Sequence, residues 1–293
     1  MSQIMLAVGF GMVTAGILAV STVAATLQYS VTNVPNFAHG DIMTLGAYAA
    51  YSTGLVVNNL ALEALAAIVA CAIFALCMNV GLLQPFLRAG VRNIYVLVIT
   101  AATSLILQNI LLAIFGGSEV DYGIAVSKPR AYGPFSWTGR DLAIMASAAV
   151  VLLIVHVVLR YTKFGKAQRA VSDSPELARV SGIDSGRITN LTWLWAGGMA
   201  GFSGFTLAAS VGAFTPSVGF TFLLIVFAAA VVGGIGQPYG AMLGALLIGL
   251  SMEVSAVFIS SEWKQAVAFV VLILALMIRP SGLIPARARN IVY

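Results

Sequence analysis

The groups in this 293-residue chain that could do chemistry are few: two histidines, two cysteines and ten carboxylates. His39 and His156 lie far apart, and no acidic cluster joins them. The spacing therefore supplies neither a nucleophile with its base nor a metal-ligand set. Cys71 and Cys77 are six apart in one apolar run and do not face each other on a helix. They read as small packing residues rather than a bridge or a metal site. Gly165-Lys166 lacks both the earlier glycine and the following Ser or Thr of a phosphate-binding loop. The sequence thus predicts no catalytic residue, no metal and no nucleotide site in this chain. Asp41 and Glu253 are the acids near apolar stretches, where a gradient-driven transporter would need ionisable groups.

What must position these groups is a membrane-embedded scaffold. The chain is 60% apolar and only 9% charged, with a mean hydropathy of +0.99. A soluble domain carries about 25% charged residues, so this one could not cover its surface in water. Nine apolar stretches approach the ~20 residues of a spanning helix: 5–28, 40–57, 63–83, 94–115, 142–160, 188–210, 220–235, 239–258 and 264–279. The second and seventh are the shortest fits. The expectation is an all-α, polytopic bundle of about eight or nine spans, forming one permease domain over 1–293.

The net charge of +5 does not indicate nucleic acid, because the basic residues form no stripe with interleaved aromatics. They sit in the gaps between apolar runs. One alternating set of gaps holds eleven: Arg88, Arg92, Arg160, Lys163, Lys166, Arg169, Arg179, Arg187, Arg279, Arg287 and Arg289. The other holds four: Lys128, Arg130, Arg140 and Lys264. The first set is expected to be cytoplasmic, with the C-terminus inside and the N-terminus outside. The long outer loop from Gly116 to Arg140 mixes charge, prolines and aromatics, including Trp137. It suits an ordered interfacial cap, serving either as a solvated connection or as a docking surface.

Two segments break the helical pattern. Thr32-Asn33-Val34-Pro35-Asn36-Phe37-Ala38-His39-Gly40-Asp41 has no Lys or Arg, and Pro35 prevents a straight helix. Its Asn, His and Asp side chains could satisfy freed backbone groups or touch a polar solute. Val231 to Pro238 contains Gly233, Gly234 and Gly236. Irregular backbone at membrane depth survives only when buried in protein or lining a cavity. Paired breaks point to a transport pathway through Asn36, Phe37, His39, Gly40, Asp41, Gly233, Gly234, Gly236 and Pro238. The plainer alternative is two turns at the membrane surface. The glycines Gly197, Gly198, Gly201 and Gly204 have the spacing of close helix packing.

The gap 160–187 holds six of the fifteen basic residues. Ser174-Pro175-Glu176 predicts a helix start, with Ser174 as cap, Pro175 in the first turn and Glu176 at the positive dipole end. Gly182 predicts its stop. Leu177 and Val180 fall on one side of that helix. It could be a connector, or an element that fits a cleft of a cytosolic partner.

At this point the chain resembles the permease family of bacterial ATP-binding-cassette importers for branched-chain amino acids. Phe164 to Val171, running into Ala178 to Asp184, resembles the family's coupling loop. Asn36 to Asp41, followed by Leu45-Gly46-Ala47-Tyr48, resembles its N-terminal signature. Leu105 to Asn109, Val232 to Gly244 and Arg279-Pro280-Ser281-Gly282-Leu283 resemble further family segments, in order. The resemblance implies an inner-membrane permease that pairs with a second related subunit, two cytosolic ATPases and an external solute-binding protein. ATP would be held by the ATPases, leaving this chain without a cofactor. It further implies ATPase coupling through Gly165, Lys166, Arg169, Pro175, Glu176, Ala178, Arg179 and Gly182. Relatives often carry a lysine near the start of the seventh span, where this chain reads Phe222-Leu223-Leu224-Ile225-Val226-Phe227. That departure leaves urea, short amides or other amino acids as alternative solutes. An ion-coupled secondary transporter is the alternative mechanism.

Overall fold

A computed structural model describes residues 2–123 and 128–284. Each of the nine apolar stretches becomes one helix. These are α1 (Ser2–Thr32), α2 (His39–Gly54), α3 (Leu60–Met78), α5 (Asn93–Phe115), α6 (Gly139–Tyr161), α9 (Ser185–Val211), α10 (Val218–Gly233), α11 (Pro238–Ser255) and α12 (Lys264–Ile278). Shorter helices α4 (Gln84–Arg88), α7 (Lys163–Asp173) and α8 (Pro175–Val180) lie between them. The chain is a multi-pass membrane protein. Seven of its helices are long and apolar enough to cross a bilayer. Apolar side chains such as Leu105, Ile106, Leu153, Ile273 and Met277 stand exposed on its perimeter, which hydrocarbon tolerates and water would not.

The second and seventh stretches differ from full spans. α2 and α10 have sixteen residues each. That is roughly 24 Å at 1.5 Å per residue, short of the ~30 Å hydrocarbon layer. α2 packs on α9 and α10 on α1, the two most enclosed long helices, whose spanning windows are 78% and 56% buried. By contrast, α12 is 6% buried and peripheral. Small residues allow this density. Gly201 and Gly204 of α9 meet the backbones of Ala67 and Met43, where a Cβ would overlap their carbonyls. Cys71 is buried in the same seam and donates to the Ile42 carbonyl at 3.1 Å, while Cys77 is exposed; both are free thiols.

Contacts sort the connections onto two ends. One end joins Ser30 to Gln168, Tyr29 to Gly236, and Gly234 to Ile284. At that end α3 runs through a π-helical turn, Asn79–Leu83, whose Asn79 donates to Asn190 of α9 at 2.8 Å. The other end joins Gly9 to Trp137 and Lys264 to Glu253. There, strand β1 (Val120–Asp121) pairs antiparallel with β4 (Ala213–Phe214). Strands β2 (Arg130–Tyr132) and β3 (Phe135–Trp137) form a hairpin, with Phe135 stacked on Trp137 at 4.8 Å. The described parts of the expected cap therefore carry two short strand pairings. Arg92, Arg160, Lys163, Lys166, Arg169, Arg179, Arg187 and Arg279 belong to segments of the first end, as the alternation of gaps requires; Arg287 and Arg289 lie outside the described residues.

Candidate functional site

The first break begins where α1 stops. Asn33 takes a left-handed φ of 53° and donates its N–H to Tyr29 O at 2.8 Å, a conformation Asn tolerates. The chain then turns back along α1. Asn36 Oδ1 accepts the Ala38 N–H at 3.1 Å, and Asn36 Nδ2 donates to Gln28 Oε1 at 3.1 Å. His39 Nδ1 donates to the same Gln28 oxygen at 3.3 Å, and its Nε2 lies 3.1 Å from Ser21 Oγ. Phe37 N–H donates to Thr100 Oγ1 at 3.2 Å, and Ser104 of α5 donates to Asp41. Gln28, His39 and Asp41 are fully buried. Because His39 reaches both Ser21 and Gln28, α2 starts roughly 6–16 Å inside the Thr32 end of α1. The break is re-entrant, and polar side chains from α1 and α5 satisfy it.

A second helix starts at the same depth from the opposite side. Gly219, in the first turn of α10, donates its N–H to Thr44 Oγ1 at 3.0 Å. It lies so close to Gly40 that a Cβ on either would overlap the other's carbonyl. The segment Gly212–Ser217 therefore dips from the far end to mid-depth. In the sequence this segment falls in the short gap between the apolar stretches 188–210 and 220–235. Its signal was Gly212, Thr215, Pro216, Ser217 and Gly219 within eight uncharged residues.

The expected pathway residues separate into four groups. Asn36 and Phe37 line a cavity of about 400 Å³ with Thr26, Tyr29, Val231 and Ile235. Phe37 meets Phe227 edge-on there at 5.5 Å. His39, Gly40 and Asp41 face protein instead and are sealed from that cavity. Gly233 and Gly234 are buried in the tight α10–α11 turn beneath the tail. Leu283 N–H donates to Val232 O at 2.9 Å and Ile284 N–H to Gly233 O at 3.1 Å. Gly236 and Pro238 line a different recess, of about 450 Å³, facing Gln168, Arg169 and Asp173 of α7.

The expected coupling residues form a compact unit. Thr162 Oγ1 caps α7 by accepting Gly165 N–H at 3.1 Å. Gly165 presses on the Val158 and Leu159 carbonyls, where no Cβ fits. Arg169 Nη1 donates to Leu159 O at 2.5 Å. Buried Gln168 donates to Ser30 Oγ of α1 at 2.8 Å, a tie with no local signal because neither residue is charged or periodic. α8 has the predicted form. Ser174 Oγ accepts Leu177 N–H at 3.3 Å, Pro175 and Glu176 occupy the first turn, Arg179 the last, and Gly182 stops it at φ 81°. Ala178 faces inward, while Leu177 and Val180 are 69% and 88% exposed. Lys166, Arg169, Glu176 and Arg179 are also exposed.

Comparison with known proteins places these features in a context. Residues 7–276 match the profile of the branched-chain amino acid transport system / permease component family. The chain is 26% identical over 280 residues to the high-affinity branched-chain amino acid transport system permease protein LivH of Escherichia coli, covering 91% of this chain and 90% of that one. It is 29% identical over 287 residues to the probable branched-chain amino acid transport permease protein LivH of Methanocaldococcus jannaschii, covering 91% and 88%. Its fold is similar to PsaBC from Streptococcus pneumoniae, solved in complex with Fab, with a TM-score of 0.53 at 15% identity over 92% of this chain and 91% of that one.

Proposed function

Since the chain belongs to the branched-chain amino acid transport system permease family, we propose that it is the translocation subunit of an ATP-driven importer for branched-chain or closely related amino acids. In this reading it sits in the cell inner membrane with its arginine-rich end in the cytoplasm. It pairs with a second related permease subunit, two cytosolic ATPases and an external solute-binding protein.

The single observation that carries the reading is α8. A short, fully capped helix presents Leu177 and Val180 to solvent beside Arg179. Exposed apolar residues on a polar end of a membrane protein fit the cleft of a partner. The helix is also mechanically connected. α7 carries α8 and is tied to α1 by Gln168–Ser30. Two residues before Ser30, Gln28 holds both Asn36 and His39. Movement of the ATPases would shift α7 with α8, and α1 would carry that shift to the start of α2. The pathway then opens beside the two mid-depth helix starts, His39–Asp41 and Ser217–Gly219. The cavity behind Phe37 and Phe227 belongs to the cytoplasmic half of this route, and Gly236 and Pro238 to the surface where α7 slides.

Co-purification tests the proposal. The chain is expected to travel with two ATPases and a second permease, and the complex to import leucine with ATP hydrolysis. A chain that purifies alone and imports solute after ATP depletion would be an ion-coupled transporter instead.

A further inference from the structure

At the end opposite α8, an open cleft of about 300 Å³ lies over the start of α10. Its floor is apolar: Leu207, Phe222 and Ile225 are each less than 10% exposed. Its rim carries one carboxylate, Glu119, together with the hydroxyls of Thr215 and Ser217. The volume is at the small end for ligand sites, which suits a small molecule.

Glu119 is held at this rim by its neighbours. Val120 pairs with Phe214 in the β1–β4 ladder, so the backbone at Glu119 is placed beside the cleft wall. Tyr122 anchors the same loop by donating to Ala47 O at 2.7 Å and packing on Phe214 at 5.2 Å. Burial raises the Tyr122 hydroxyl above its ordinary ionisation range, so it stays a donor. The nearby cation is engaged elsewhere. Lys264, next to the lining residue Gln265, pairs with Glu253 at 2.7 Å, and that is the one ion pair among the described residues. Among the described residues, no cation forms an ion pair with Glu119, which lines the cleft. Thr215 and Ser217 hydroxyls lie 3.1 Å apart, and whichever one donates in that pair leaves the other hydrogen free for an acceptor.

We infer that this cleft receives the incoming solute before the mid-depth step, with Glu119 taking the α-ammonium, Thr215 and Ser217 the carboxylate, and the Leu207–Phe222–Ile225 floor an uncharged branched side chain. The inference rests on the proposed importer reading and adds to it a site. Its chemistry selects a zwitterion with an apolar side chain. A sugar offers Glu119 no cation, and a basic amino acid would bury a charge on the floor.

The test uses the protein purified with its native membrane partners in nanodiscs, without the solute-binding protein. Saturation-transfer NMR is recorded with L-leucine and with 4-methylpentanoate, which lacks the amine. Wild type is expected to transfer saturation to the leucine methyls. Glu119→Gln is expected to weaken the leucine signal about tenfold, as loss of one charge-assisted hydrogen bond implies, and to leave 4-methylpentanoate unchanged. Glu119→Asp should recover part of the loss, and Ile225→Trp should abolish both signals. Absence of leucine transfer in wild type, or equal weakening for both ligands in Glu119→Gln, overturns the inference. Immunoblotting the same sample for the ATPase separates a failure of the site from a failure of the importer reading.

Discussion

Gly40 and Gly219 meet backbone to backbone at the centre of the bundle, one at the start of α2 and the other at the start of α10. These two helices enter from opposite ends of the molecule, yet each begins where the other begins. Neither position has room for a Cβ. Gly40→Val and Gly219→Val are each expected to destabilise by about 1–3 kcal/mol through overpacking and to abolish leucine uptake. Thermal unfolding in detergent and uptake in proteoliposomes measure the two effects. A Gly219→Val protein with wild-type midpoint and uptake would show that the contact is dispensable.

The Gln168–Ser30 tie predicts a split between two activities. Gln168→Leu removes a buried hydrogen bond worth about 1 kcal/mol, so the complex should still assemble and hydrolyse ATP. Uptake should fall severalfold because α7 no longer holds α1. Adding Ser30→Ala to Gln168→Leu should cost uptake nothing further, since both changes remove one link. Independent losses from the two substitutions would refute the coupling.

Leu177 and Val180 make no protein contact that stability needs, given their exposure. Leu177→Ser with Val180→Ser should leave the stability within about 0.5 kcal/mol of wild type. The same double substitution should strip the ATPase from the purified complex. Retention of the ATPase at wild-type stoichiometry would remove α8 from the docking surface.

Asp41 separates ATP-driven from ion-driven transport. Its carboxylate accepts the Ser104 hydroxyl and is buried at the first turn of α2. An asparagine retains an acceptor oxygen there but cannot exchange a proton. Asp41→Asn is expected to import leucine at a reduced rate that an uncoupler does not change. Complete loss of uptake in a folded Asp41→Asn protein, together with uncoupler sensitivity of wild type, would favour ion coupling.

Orientation has a direct readout. Ser181 ends α8 and Ser118 lies before β1, and both are exposed. In a Cys71→Ala, Cys77→Ala background, Ser118→Cys should react with an impermeant maleimide on spheroplasts, and Ser181→Cys only after permeabilisation. The reverse pattern would turn the molecule over.

The helices and α8 were legible in the sequence because each rests on a local signal. Long apolar runs announce α1, α3, α5, α6 and α9, and Ser174-Pro175-Glu176 with Gly182 announces α8. The half-length of α2 and α10 was visible only as marginal run length. The facing starts were not legible, because Gly40 and Gly219 are far apart in sequence and carry no charge. Gly233 and Gly234, expected beside a pathway, pack in the α10–α11 turn. Glycines that let α10 and α11 touch look identical, in a string, to glycines that line a route. The polar lattice of Ser21, Gln28, Asn36 and His39 had no periodicity to reveal it. Only the return of the chain along α1 brings those side chains together.

The amides of Leu283 and Ile284 close over the carbonyls of Val232 and Gly233. During synthesis the turn between α10 and α11 emerges some fifty residues before the segment that covers it. Ribosomes therefore release that turn with two carbonyls awaiting partners, and its final seat is set only after translation has passed residue 284. A stop codon at Ser281 would leave them unpaired in a nascent product that the cell's membrane proteases should degrade, which pulse-chase of the truncated and full chains would measure.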